Sequence, residues 1–157
     1  MIGFEAHDHR RCIAAALSAA EAHCAAAGLN LTPVRRRVLE ILLRRHRALG
    51  AYEILDELRE AGFGSQPPVV YRALEFLVAN GFAHRIERLN AFVACAHAGA
   101  EHAPAFLVCR LCAAVAEAEA AAGQRAIAAT ARAEGFTVER MVIEAVGLCP
   151  RCAGAAP

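Results

Sequence analysis

At 157 residues the chain has room for one ordinary domain or two small ones, and two small ones would each have a core thin enough to need a metal ion or a partner subunit. It is 57% hydrophobic, a figure inflated by alanine, yet no apolar run approaches a membrane span, and Met1-Ile2-Gly3-Phe4-Glu5 lacks the basic and apolar regions of a secretory signal, so a cytoplasmic protein with no membrane partner is expected. The formal net charge of +1 hides 12 arginines against 10 acidic residues over 1–95 and 5 against 6 over 96–157, too small an imbalance to argue for nucleic acid by itself.

Ile13, Leu17 and Ala20 recur at helical spacing over 9–27, and Gly28 stands where that helix would stop. Thr32 as N-cap and Pro33 at the first helical position open a second helix, with Val34, Val38, Ile41, Leu42 and Arg45 along one face. Ala51, Ile54, Leu55 and Leu58 give a third, closed near Gly62. A fourth begins at Pro67-Pro68, buries Val70, Ala73, Leu74 and Leu77, and ends at Asn80-Gly81. Two short stretches follow, 82–87 and 91–95, separated by Arg88-Leu89-Asn90, which predicts a β-hairpin. Helices followed by such a hairpin describe a winged helix, in which the last helix reads the major groove.

The segment 96–103, made largely of Ala, Gly and His, reads as a hinge. Beyond it, 105–108 and 114–118 are short strands, 120–134 is a helix stopped by Gly135, and the alternation over Phe136 to Val146 predicts one long strand. The expected fold class is therefore α+β. A winged-helix domain (1–95) is followed by the hinge (96–103) and a small α/β domain (104–157).

Seven cysteines without an export signal argue against a disulfide framework, since reducing compartments keep thiols free and an odd number leaves one unpaired. Cys109-Arg110-Leu111-Cys112 and Cys149-Pro150-Arg151-Cys152 have the spacing that lets both sulfurs of a pair reach one ion from a tight turn. Two such pairs make a closed tetrahedral zinc shell, whose role is folding. The alternative is a pair of CxxC redox motifs. His84, Cys95, His97, His102, Glu117 and Glu119 remain clustered around the hairpin, hinge and first strand. Imidazole, thiolate and carboxylate together suit Zn²⁺.

At this point the chain resembles the ferric uptake regulators, and within them the zinc-sensing branch. The resemblance runs from about Leu31 to Cys152. It rests on Leu31-Thr32-Pro33-Val34-Arg35, Pro67-Pro68-Val69-Val70-Tyr71-Arg72-Ala73-Leu74, Asn80-Gly81-Phe82-Ala83-His84, Phe92-Val93-Ala94-Cys95 and both cysteine pairs. It implies a homodimer that represses zinc-uptake genes from operator DNA and holds two Zn²⁺ per protomer. One zinc would be structural, at Cys109, Cys112, Cys149 and Cys152. The other would be regulatory, at His84, Cys95, His102 and Glu117. The segment from Cys95 to His102 is slightly short against the family pattern, so His97 could replace His102, and Glu119 could replace Glu117 on the same strand face. Ala113 stands where the family often has Gly.

For DNA contacts, Arg72 has a fork that can pair with guanine O6 and N7. Tyr71 either binds phosphate or caps the core, and Tyr52 resembles a family position that touches DNA but could equally pack. Arg35, Arg36, Arg37, Arg44, Arg45 and Arg47 are candidates for phosphate contacts or for a solvated basic face. Asp56 and Arg59, at i and i+3, could pair with each other. The remaining alternatives are an iron, manganese or peroxide sensor of the same family and a thiol switch at Cys12, Cys24 or Cys95. A metal-dependent hydrolase would need an open coordination position, and no enzyme is expected.

Overall fold

Four helices come before the first strand: α1 (His9–Ala26), α2 (Pro33–Leu43), α3 (Ala51–Glu60) and α4 (Pro67–Ala79). The computed structural model describes residues 9–45, 47–98 and 102–154, so the reading of Met1 to Glu5 lies outside the described residues. The Thr32 hydroxyl accepts the Arg35 N–H at 3.3 Å, and Pro33, with no N–H to lose, takes the first position of α2. Arg45 lies beyond the end of α2 and does not continue its apolar face. Gly81, at φ +73°, makes the left-handed turn that leads the chain out of α4.

The hairpin that follows consists of β1 (Ala83–Ile86) and β2 (Ala91–Ala94), antiparallel, with His84 opposite Val93. A 3-10 turn at Glu87–Leu89 joins them, and Asn90 closes it at φ +46°. Leu49 and Phe92 exchange both backbone hydrogen bonds, at 2.9 and 2.8 Å, which fastens the segment before α3 to the hairpin. Val38, Ile41, Leu42, Ile54, Leu58, Val70, Leu74, Leu77 and Phe82 fill the core beneath, the same apolar stripes that the periodicity predicts. This is the expected winged helix.

The second unit is a three-stranded sheet in the order β4-β3-β5, from β3 (Pro104–Cys109), β4 (Val115–Glu119) and β5 (Ile143–Gly147). β4 runs antiparallel to β3 and β5 parallel to it, with α5 (Ala121–Ala133) as the crossover and α6 (Pro150–Ala153) at the end. The long strand expected over 136–146 is not formed, because only Ile143–Gly147 is strand. Its neighbour sets the limit. Ile143 lies opposite Ala105, and β3 begins one residue earlier, at Pro104, so among the described residues no strand pairs with those before 142 to take their backbone hydrogen bonds.

The two units are packed together. Ala48, Ile86 and Ala91 from the winged helix share a small core with Phe106, Val108 and Val115 from the sheet, and the Ala48 N–H donates to the Ala113 carbonyl at 3.1 Å. Of the connecting segment, Ala96 to Ala98 form a turn, while Gly99, Ala100 and Glu101 lie outside the described residues.

Candidate metal centres and nucleic-acid interface

Cys109 ends β3, and its N–H donates to the Ala114 carbonyl at 2.8 Å, which curls the chain so that Cys112 returns beside it. Ala113 pays for that curl with φ +57°, the left-handed region that glycine occupies without strain. Cys149 and Cys152 sit at the start and within the single turn of α6, with Pro150 in its first position. The four sulfurs all lie within 4.8 Å of one another. Thiolates about 2.3 Å from a shared tetrahedral ion are about 3.8 Å apart, and Cys112 Sγ lies 3.7 Å from Cys149 Sγ. Backbone N–H groups of Cys149 and Cys112 aimed at the Cys109 sulfur hold its thiol low, at about 6. The hydrogen bonds of Cys152 with the Cys149 and Cys112 sulfurs push its own thiol up to about 12. Four thiols so close cannot all ionise beside one another without a cation, and the donor set fits zinc.

The second cluster draws on both units. His84 comes from β1, Cys95 follows β2, His102 precedes β3 by two residues, and Glu117 lies on β4 opposite Phe106. Their donor atoms also lie within 4.8 Å of one another. His102 Nε2 is 2.6 Å from Glu117 Oε1 and 3.4 Å from Cys95 Sγ, and the Ala96 N–H donates to Glu117 Oε2 at 3.1 Å. His84 Nε2 is 3.6 Å from Glu117 Oε2, beyond hydrogen-bond reach, and is buried with no hydrogen-bond partner among the described residues. A native fold rarely leaves such an atom bare, and a metal ion at the centre of the cluster would satisfy it. Burial lowers the His84 imidazole, which favours the neutral, ligating form, and pushes the Cys95 thiol up to about 11. The residues present therefore fit a divalent ion that would displace the thiol proton.

His97 is at the rim, with a half-exposed side chain whose Nδ1 is 3.4 Å from Glu117 Oε1, and its N–H donates to Cys95 Sγ at 3.3 Å. Glu119 lies at the exposed end of β4. The mutually close set contains His102 and Glu117, and neither His97 nor Glu119. Phe106, which the sequence reading did not single out, stacks obliquely on His84 with ring centroids 5.1 Å apart and walls the site from below.

On α4, Tyr71 and Arg72 are exposed beside the buried stripe, and Tyr52 at the start of α3 is 65% exposed, so it is not a packing tyrosine. Arg35 is engaged within the fold: its Nη1 donates to the Asn30 carbonyl at 2.6 Å and its guanidinium lies 3.9 Å from the centroid of the Phe76 ring. The other arginines named for phosphate contacts also have acidic partners. Arg36 pairs with Glu21, Arg37 and Arg44 with Glu40, Arg45 with Glu57, and Arg47 with Glu53. Arg59 donates to the Ser65 carbonyl at 3.3 Å, and no salt bridge joins it to Asp56 among the described residues.

Residues 26–146 match the ferric uptake regulator family. The zinc uptake regulation protein of Escherichia coli (strain K12) is 43% identical over 139 residues, covering 87% of this chain and 80% of that one. A zinc uptake regulator solved in complex with zinc and DNA superposes with a TM-score of 0.86 at 38% identity, over 90% of this chain and 95% of that one. Holo XcZur gives 0.80 at 43% identity (88% and 97% covered), whereas apo XcZur gives 0.52 at 42% identity (90% and 97% covered).

Proposed function

Because the chain belongs to the ferric uptake regulator family, we propose that it is a zinc-responsive repressor that binds operator DNA as a homodimer in the cytoplasm when His84, Cys95, His102 and Glu117 hold zinc, and that it controls zinc-uptake genes. The observation that carries this reading is the second cluster itself, in which His84 from the winged helix and Glu117 from the sheet converge on one point with a buried, unpartnered His84 Nε2. We assign residues 1–95 to DNA reading, 96–103 to the hinge and 104–157 to dimerisation.

Two zinc ions per protomer are proposed, one in each cluster. The Cys109, Cys112, Cys149 and Cys152 site ties the end of β3 to the turn of α6, and its work is to hold the small second unit together. At the other site, bound zinc supplies a dication that two imidazoles, a thiolate and a carboxylate can share. His84 rides on β1, directly after α4, while Glu117 stays on β4. Joining them fixes the recognition helix relative to the dimer and so selects one spacing of the two helices on a palindromic operator. The different fit to the holo and apo forms of one relative, at almost equal identity, supports a mechanism in which domain arrangement is the variable.

The ligand chemistry favours zinc over the harder ions that oxygen-rich sites select, as do the relatives named for zinc uptake. A thiol switch at Cys24 or Cys95 is disfavoured. Burial raises the thiols of Cys24 and Cys95, which keeps them protonated and poorly nucleophilic. The test is operator binding by fluorescence anisotropy while zinc, ferrous iron and manganese are each titrated into protein carrying only the four-cysteine ion. Zinc alone should switch binding on at low free concentration. Equal responses to iron or manganese would overturn the assignment.

A further inference from the structure

We propose that Glu144 is a positioning residue for DNA reading: with Arg140 and Glu87 it makes a metal-free clasp that holds the wing on the dimerisation unit and sets how much zinc closure requires. Glu144 lies on β5, the edge strand remote from the metal-ligating β4. Its two carboxylate oxygens accept the Glu87 N–H at 2.6 Å and the Arg88 N–H at 3.0 Å. These are leading N–H groups of the 3-10 turn at the wing tip, which have no partner inside the turn itself. The Glu87 side chain turns back to pair with Arg140, and Arg85 Nε approaches it at 3.7 Å. The contact therefore bridges 57 residues of sequence and joins the wing to the sheet with charge-assisted bonds.

The strand β1 is in this way tied down near both ends. His84, near its start, faces the zinc-ligand cluster, and the turn just after Ile86 is capped by Glu144, with Ile86 and Phe106 packed between. One tie depends on a metal and the other does not. Any rearrangement that swings the winged helix away from the sheet must break both, so the clasp adds to the closed state a fixed free energy that zinc binding need not supply. The bonds are solvent-exposed, which limits each to a modest contribution.

This inference rests on the zinc-closure reading, and the experiment separates the two. The full-length dimer carrying Glu144→Gln, which replaces one acceptor with a donor facing an N–H, is compared with the parent by zinc-titrated operator binding and by amide hydrogen exchange. The zinc midpoint should rise about three- to tenfold, with affinity at saturating zinc unchanged. The Glu87 and Arg88 amides should exchange faster by a similar factor. Arg140→Ala should shift the midpoint the same way, and it reads the clasp if Glu144→Gln does not fold. An unmoved midpoint with unmoved amide exchange overturns the clasp, as does a loss of affinity at saturating zinc with the midpoint unmoved. If the parent itself binds operator without zinc, the closure reading fails, and the exchange comparison still tests the contact alone.

Discussion

His84 Nε2 stands 3.6 Å from Glu117 Oε2, the one on the second residue of the wing's first strand and the other on the edge strand of the three-stranded sheet. Between these two atoms runs the boundary of the winged helix, so whatever draws them together also fixes how the recognition helix is carried. His84→Ala removes one side of that contact without touching the apolar contacts of Ile86 with Phe106. The variant should remain a folded dimer with one zinc per protomer and lose about 5- to 150-fold in operator affinity at zinc concentrations that saturate the parent. Native mass spectrometry gives the zinc count and anisotropy gives the affinity. Two ions per protomer in the variant would defeat the assignment.

Cys149 shows the contrasting case. It is buried with Cys109, and its neighbours are sulfur and alanine, so little apolar area stands behind it if the ion is lost. Cys149→Ser should release the four-cysteine zinc and melt the second unit, abolishing dimerisation, because zinc binding at such a site is folding free energy. Size-exclusion chromatography with a zinc count would show it. A stable dimer that has lost one ion per protomer would remove the structural role.

Ala113 carries a left-handed backbone at φ +57° inside the first cysteine turn. Relief of Cβ strain there outweighs the extra freedom that glycine gives the unfolded chain, by up to about 1 kcal/mol. Ala113→Gly should raise the midpoint of thermal unfolding at constant zinc, or leave it unchanged. A clear decrease would mean that the turn relaxes when the protein is loaded.

Acid should act on α3 through Glu53. The Arg47 ion pair, followed by the Gly50 N–H, outweighs partial burial and holds its carboxyl below the ordinary glutamate range. A depressed folded pKa contributes stability that is present above the unfolded value and lost as pH falls through the folded one. Glu53→Gln should therefore be less stable than the parent at pH 7 by about 0.5–1 kcal/mol, kept small by solvent screening. The gap should close as the pH drops below the carboxylate range. Urea denaturation at several pH values measures it, and a gap that widens in acid would reverse the sign.

How far these features could be read beforehand follows from the range of the interactions behind them. The Thr32-Pro33 start, the glycine stops, the hairpin and the two cysteine pairs are encoded within a few neighbouring residues, and the structure places all of them as expected. The truncation of the long strand depends on where β3 begins, nearly 40 residues away, and the alternation over 136–142 contains no information about that. The sequence favours His102 by its match to the family pattern but leaves His97 open as a substitute. Only the register of β4 on β3 brings Glu117 within 2.6 Å of His102. Arg36 and Arg45 read as part of a basic face because their acidic partners, Glu21 and Glu57, lie one helix away, although Glu40, which pairs with Arg37 and Arg44, stands within four residues of both. Glu144 carries no local signal at all.

The alternating segment before β5 still has a use, because its apolar residues remain uncovered in the single chain. Phe136 is 66% exposed, Ile127 on α5 48% and Val146 on β5 48%, and no residue of α5 is buried. An amphipathic helix with no buried face gains little from folding on its own, and large apolar side chains left exposed on the same unit point to an interface. The second copy in the homodimer is the partner that would cover it. Ile127→Glu and Val146→Glu each place a charge in that surface, where burial without a counter-ion costs several kcal/mol. Both variants should therefore dissociate into monomers at micromolar concentration while keeping the four-cysteine ion, since neither residue is one of its four ligands. Operator binding should then fail even with the second cluster filled, because two recognition helices are no longer held at a fixed spacing. Analytical ultracentrifugation alongside anisotropy decides it, and a dimer that survives both substitutions would place the interface elsewhere on the molecule.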